Sequence, residues 1–170
     1  MVTLTQDERD KFIAGIAPAA KAAAAKWGVP ASVTIAQAII ESGWGQSQLT
    51  IQANNFFGIK AASRFGECYV QFRTKEFVDG APDYIVANFE KFATPDAAFD
   101  AHGELIATST RYRPAMAEKD DPFEFAVELE KCGYSTDPEY AKKLASIIMV
   151  YNLKDFDVPP APPAASAAAA

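Results

Sequence analysis

Glu41 stands where an acid–base catalyst would be placed. It closes a run of helix formers, Ala31-Ser32-Val33-Thr34-Ile35-Ala36-Gln37-Ala38-Ile39-Ile40, and Ser42-Gly43-Trp44-Gly45 follows at once. Isoleucines on the flank withdraw a carboxyl from water and raise its pKa, which suits a general acid working near neutral pH. The two glycines stop the helix, so the carboxyl can face an open cleft and not the core. The plain alternative is a surface glutamate in a last helical turn, although the helix dipole disfavours a negative charge there.

Cleavage of a glycosidic bond requires two carboxyls, or one carboxyl and a substitute, flanking the scissile bond. A segment that alternates large apolar with polar residues offers Glu67, Glu76, Asp79, Asp83 and Glu90. Glu76 is the best of these, because it lies in a strand-like run just before a turn. Its other reading is an edge-strand charge that prevents aggregation. Rival chemistries have thin support. The single histidine, His102, lies in Phe99-Asp100-Ala101-His102-Gly103 and reads as a capping or packing residue, not as the base of a Ser-His-Asp or Cys-His hydrolase. With no cysteines at ligand spacing, no metal or other cofactor is called for. Cys68 and Cys132 read as free, partly buried thiols.

The elements that would position these groups are mostly helical. Thr5 with Glu8 forms a capping-box signature for a helix reaching Lys26, in which Pro18 divides the helix or begins a second one. The next helix opens at Pro30-Ala31 or Ser32 and ends at Glu41. Cys68 to Val78 has the period-two pattern of a strand, Asp79-Gly80 signals a turn, and Tyr84 to Phe92 supplies a second strand-like run. Thr94-Pro95 and Asp121-Pro122 open further helices, and the last helix follows Asp137-Pro138, with Asp137 as its N-cap. Val158-Pro159-Pro160-Ala161-Pro162-Pro163 and an alanine run make a Pro/Ala tail expected to be extended or disordered. The expected organisation is one domain over residues 1–157, with a β-lobe at about 60–92, and a tail over 158–170.

The chain has 170 residues, enough for one real core, and its 49% hydrophobic content excludes a disordered chain. A net charge of −6 argues against nucleic-acid partners, which require counterion release by Lys and Arg. It also gives no attraction to an anionic wall or membrane surface, so recognition of an acidic polymer must come from a groove. No stretch near twenty residues is continuously apolar, so no membrane insertion is expected. The start lacks the basic and apolar regions of a secretory signal, and synthesis in the cytoplasm is the expectation.

Four blocks in order resemble family 73 of the glycoside hydrolases, bacterial and phage endo-β-N-acetylglucosaminidases that cleave peptidoglycan. They are Val29 to Gly45, ending Ile40-Glu41-Ser42-Gly43-Trp44-Gly45; Asn54-Asn55-Phe56-Phe57-Gly58-Ile59-Lys60; Thr74-Lys75-Glu76-Phe77, with Phe where the family has Tyr; and Gly133-Tyr134-Ser135-Thr136-Asp137-Pro138-Glu139-Tyr140-Ala141-Lys142-Lys143-Leu144, with Ser135 where the family has Ala. The resemblance implies an α+β, mostly α fold: a lysozyme-like helical domain with a small antiparallel β-lobe flanking a substrate cleft. It implies Glu41 as the general acid, Glu76 as the lobe carboxylate serving as base or charge stabiliser, and Tyr134 as the active-site tyrosine that hydrogen-bonds the substrate or Glu41. Trp44, Asn54, Asn55, Phe57 and Tyr140 make up the substrate-binding set. Trp44 has packing below the turn as its other reading, Asn54 and Asn55 have loop shaping, and of Phe56 and Phe57 one is expected inside and one on the cleft wall.

The implied partner is the peptidoglycan glycan strand, cut at a β-1,4 bond by a monomer. A muramidase or lytic transglycosylase on the same scaffold is the near alternative, and a non-catalytic glycan-binding or structural module the distant one. A wall hydrolase without a signal peptide is expected to act in the periplasm or wall after non-classical export or lysis, with a holin, secretion machine or immunity protein as partner, as a phage endolysin or an antibacterial effector.

Overall fold

The computed structural model describes residues 4–61, 69–78 and 81–157, with residues 74–78 and 81–85 described by backbone alone. Expectations for Glu67, Cys68, Asp79 and the tail over 158–170 lie outside the described residues.

Helix α1 spans Gln6–Trp27. The Thr5 hydroxyl accepts the Glu8 N–H (3.3 Å) while the Glu8 carboxylate accepts the Thr5 N–H (2.8 Å), so two otherwise orphaned donors are satisfied. Pro18 lies inside this helix and does not divide it. Burial of Ile13, Ile16, Ala17, Ala19, Ala20 and Ala23 outweighs the missing hydrogen bond.

Helix α2, Ala31–Ser42, is the axis of the fold. Every residue from Ala31 to Ile39 is buried, which is the pattern of a helix surrounded on all sides. Pro30 offers no side-chain cap. Asp157, 125 positions away, replaces it by accepting the Ser32 N–H at 2.8 Å. A short helix α3, Gln48–Ala53, follows.

Strands β1 (Tyr69–Val78) and β2 (Ala81–Glu90) pair antiparallel, from Tyr69 opposite Glu90 to Val78 opposite Ala81. The second strand thus starts three residues before the expected run and ends two residues short of it. Residues 59–61 extend this sheet: the Ala61 N–H donates to Asn88 O and the Glu90 N–H to Ile59 O, both at 2.9 Å. Backbone groups that strand pairing leaves over on β2 are used there.

Helix α4, Pro95–Thr108, starts as its sequence predicts, with Thr94 accepting the Ala97 N–H. It packs on α1 because Gly103 lacks a side chain; a Cβ there would come within 2.7 Å of Trp27. Asp100 joins the same two helices, accepting from Trp27 Nε1 and Lys26 Nζ at 2.8 Å each. Helices α5 (Arg113–Ala117), α6 (Pro122–Lys131) and α7 (Tyr140–Val150) complete the helical body. Asp121 caps α6 as expected. Asp137 does not cap α7 directly: it accepts the Glu139 N–H in a turn that precedes the helix, and Glu139 occupies the cap position.

Candidate active site

Glu41 sits in the last turn of α2, where the backbone reverses sharply. Gly43, Trp44 and Gly45 all have left-handed φ, at 56°, 61° and 75°. Trp44 is the costly member of that series, because a Cβ disfavours the conformation. Its indole is held edge-on to Phe12 (5.8 Å) and Tyr151 (5.1 Å), with the Arg9 guanidinium 5.5 Å from its centre. Packing on Phe12, Tyr151 and Arg9 therefore holds the half-buried Trp44 and fixes the turn. Ser42 Oγ bonds back to Ala38 O and accepts the Gly45 N–H at 2.7 Å. The chain leaves the helix axis after Ser42, one residue beyond Glu41, and Glu41 retains access to solvent.

Surrounding protein nevertheless crowds this carboxyl. Burial pushes its pKa above the ordinary carboxylate value, opposed by a hydrogen bond from Tyr140 that favours the ionised form. The Tyr140 hydroxyl donates to Glu41 Oε1 at 3.0 Å and itself accepts from Gln37 Nε2 at 3.3 Å. Gln37 lies one helical turn before Glu41 on α2 and is 0% exposed. Its amide N–H can only donate, so the one phenolic proton of Tyr140 is directed at Glu41. Burial raises the Tyr140 pKa strongly, so the phenol stays protonated.

Tyr134 lies beside Tyr140, their rings stacked at 5.7 Å. Its hydroxyl is 3.1 Å from His102 Nε2, so the tyrosine in hydrogen-bond contact with Glu41 is Tyr140 and not Tyr134. Arg111 positions the approach to Tyr134, donating from Nε to Cys132 O (2.6 Å) and from Nη2 to Gly133 O. Burial, then the charge of Glu41, raises the Tyr134 pKa. His102 is fully buried, stacked on Phe57 at 3.9 Å, and burial lowers its pKa to about 3. It packs, as its sequence context suggests, and is neutral at every physiological pH.

The asparagine pair has structural occupations. The Asn55 amide donates to Ile59 O and Glu90 O, both at 2.9 Å, and its Oδ1 accepts the N–H groups of Phe57 (3.3 Å) and Ile59 (3.0 Å). That uses both donors and both acceptor sites, leaving nothing for a sugar acetamido group. Asn54 takes a left-handed φ of 49° at the end of α3 and donates to Phe92 O and Ala93 O. Both asparagines therefore tie the hairpin to the helical body. Phe56 and Phe57 are both buried, at 6% and 7% exposure, so neither forms an open cleft wall. Phe57 fills the space behind His102.

Glu76 lies on β1 opposite Asp83 in the hairpin register. Its side chain is outside the described residues. Cys132 is a free, half-buried thiol, as expected. Among the described residues no group of three His, Cys, Asp or Glu is placed to hold a metal ion. The residues that sequence reasoning missed are Gln37 and His102 as partners of the tyrosines. Each left a signal: one amide in the apolar run Ile35-Ala36-Gln37-Ala38-Ile39, and one imidazole on an apolar helix face.

A family description reading "Mannosyl-glycoprotein endo-beta-N-acetylglucosaminidase" matches residues 17–153. The chain belongs to this glucosaminidase family. The glucosaminidase domain is 36% identical to exo-glucosaminidase LytG of Bacillus subtilis (strain 168) over 156 residues, covering 89% of this chain and 54% of LytG. It is 35% identical to peptidoglycan hydrolase FlgJ of Pseudomonas aeruginosa over 142 residues, 81% of this chain and 36% of FlgJ. It thus spans about half or less of the length of these curated relatives. The glucosaminidase fold is shared with the catalytic domain of the autolysin Auto from Listeria monocytogenes, with a TM-score of 0.80, 30% identity and coverage of 92% of this chain and 91% of that one. The mostly helical body with its small hairpin is accordingly the lysozyme-like architecture of this family.

Proposed function

We propose that this glucosaminidase domain hydrolyses a β-1,4 bond of the peptidoglycan glycan strand next to N-acetylglucosamine, with Glu41 as general acid. The observation that carries the reading is the state of the Glu41 carboxyl: raised in pKa by burial, open to solvent, and engaged, among the described residues, at one oxygen by a directed phenol. Because Oε1 accepts from Tyr140, the transferable proton resides on Oε2. That oxygen delivers it to the glycosidic oxygen as the leaving sugar departs. Glu76 on the hairpin is the proposed second carboxylate, acting as base on the incoming water or as a stabiliser of the oxocarbenium-like transition state. Relatives whose names specify exo-glucosaminidase and peptidoglycan hydrolase activity support the substrate class.

The test is digestion of purified sacculi by wild type and Glu41→Gln, followed by zymography and mass spectrometry of the fragments. Wild type is expected to clear and to leave reducing-end N-acetylglucosamine, while Glu41→Gln leaves the sacculi intact. Equal clearing by both proteins would remove Glu41 from the mechanism. Reducing-end muramic acid would mark a muramidase, and an anhydro sugar a transglycosylase. The wall is the proposed site of action, reached by export or lysis through a holin or secretion machine, with an immunity protein as the neutralising partner; neighbouring genes test that part. Among the described residues no helix is long and apolar enough to cross a membrane.

A further inference from the structure

We propose that His102 is a positioning residue that fixes the direction of the Tyr134 phenolic proton, making Tyr134 a hydrogen-bond donor into the cleft beside Glu41. This rests on the reading of Glu41 as the general acid. The geometry begins with a buried ring that has one hydrogen-bond partner among the described residues. His102 Nε2 lies 3.1 Å from Tyr134 Oη, whereas Nδ1 is buried with no hydrogen-bond partner among the described residues. The imidazole is neutral, so it carries one N–H. With that hydrogen on Nδ1, the fold would hold an orphaned buried donor, which native interiors almost never tolerate. With it on Nε2, the donor is satisfied by Tyr134 Oη and only a lone pair is left without a partner. The Nε2–H tautomer follows.

Tyr134 Oη then accepts from His102, and its own proton points elsewhere. The ring stacks on Tyr140, whose hydroxyl is bonded to Glu41, and the Glu41 charge contributes to the raised Tyr134 pKa. Tyr134 thus neighbours the Glu41–Tyr140 pair, the side to which its free proton is assigned. The neighbouring tyrosine is held in the same way: Gln37, also fully buried, donates to Tyr140 from behind and forces it to donate forward. Two buried donors on two different helices thus set the polarity of two stacked phenols. Phe57, stacked on the imidazole at 3.9 Å, and Gly103, which lets α4 approach α1, hold the His102 ring at this distance.

The chain contains one histidine, so its imidazole can be observed directly. In the full chain labelled with 15N-histidine, long-range proton–nitrogen correlation at pH 7 is expected to show the neutral Nε2–H tautomer. An Nδ1–H tautomer would overturn the proposal. His102→Phe keeps the stack on Phe57 and removes the donor. It is expected to lower kcat on sacculi about tenfold with KM changed by less than roughly twofold, and His102→Gln, whose amide nitrogen has the reach of Nε2, is expected to restore most of it. In a Tyr134→Phe background, His102→Phe should cost nothing further. A loss that persists in that background, or that glutamine does not repair, would show a purely structural role and sink the idea. Failure of wild type to cut sacculi would remove the proposed function, while the tautomer measurement would still decide where the Tyr134 proton points.

Discussion

Tyr140 and Glu41, 99 positions apart in sequence, meet at 3.0 Å with the phenol as donor. That contact favours the carboxylate against the burial that favours the acid. Tyr140→Phe removes the donor and keeps the packing, so the Glu41 pKa is expected to rise further. A general acid works while protonated, and activity falls as pH rises through its pKa. The basic limb of the kcat/KM–pH profile should therefore move to higher pH in Tyr140→Phe, with kcat reduced on the order of tenfold by loss of orientation. An unmoved limb would show that the phenol does not tune the acid.

Glu41 should be a stability liability at neutral pH. Its folded pKa lies above the ordinary glutamate value of 4.5, so between the two values the folded state binds a proton that the unfolded chain has already released. Whatever stability goes with that proton is complete below about pH 4.5 and is lost as pH rises through the folded value. Glu41→Gln is expected to raise Tm at pH 7 by on the order of 1–2 °C, since solvent access screens the effect. The gap should close as pH falls below about 4. Calorimetry at two pH values checks it.

Asn55 should matter for stability more than its place in a loop would indicate. Four hydrogen bonds converge on an amide that is 1% exposed. Asn55→Ala is expected to cost about 2–4 kcal/mol in urea denaturation. Asn55→Asp should give no rescue, because a carboxylate cannot donate to the Ile59 and Glu90 carbonyls. A mild effect from either substitution would assign the hairpin attachment to other contacts.

Asp157 should behave as part of α2 although it follows the last helix. Asp157→Ala is expected to cost about 1 kcal/mol, the usual value of an N-cap. A chain ended just after Asp157 should match wild type in its urea midpoint. One ended just before it should match the alanine variant.

Local chemistry made the helix starts legible. Thr5 with Glu8, Thr94 with Pro95 and Asp121 with Pro122 carry the signal within four residues, and each cap is present in the structure. The helix stop was legible for the same reason to within one residue, expected at Glu41 and found at Ser42. Long-range partners were not. Asp157 reaches Ser32 across 125 positions, and Gln37 reaches Tyr140 across 103. A motif places such residues near a site but does not say which hydroxyl meets which carboxyl. Asn55 illustrates the limit: the same amide that suggested contact with a sugar is fully used by four backbone groups. Pro18 illustrates another, since local propensity signals a break that burial of the neighbouring alanines overrides.

Glu41 owes its raised pKa to burial, and among the described residues no neighbouring charge contributes to the shift. Dissolved salt screens attractions and repulsions between charges, but it does not refill a space from which protein atoms have displaced water. The acidity of this carboxyl is therefore a property of shape. Added salt should move the burial-driven part of the shift little, whereas a shift set by a neighbouring charge would drift with counterion concentration.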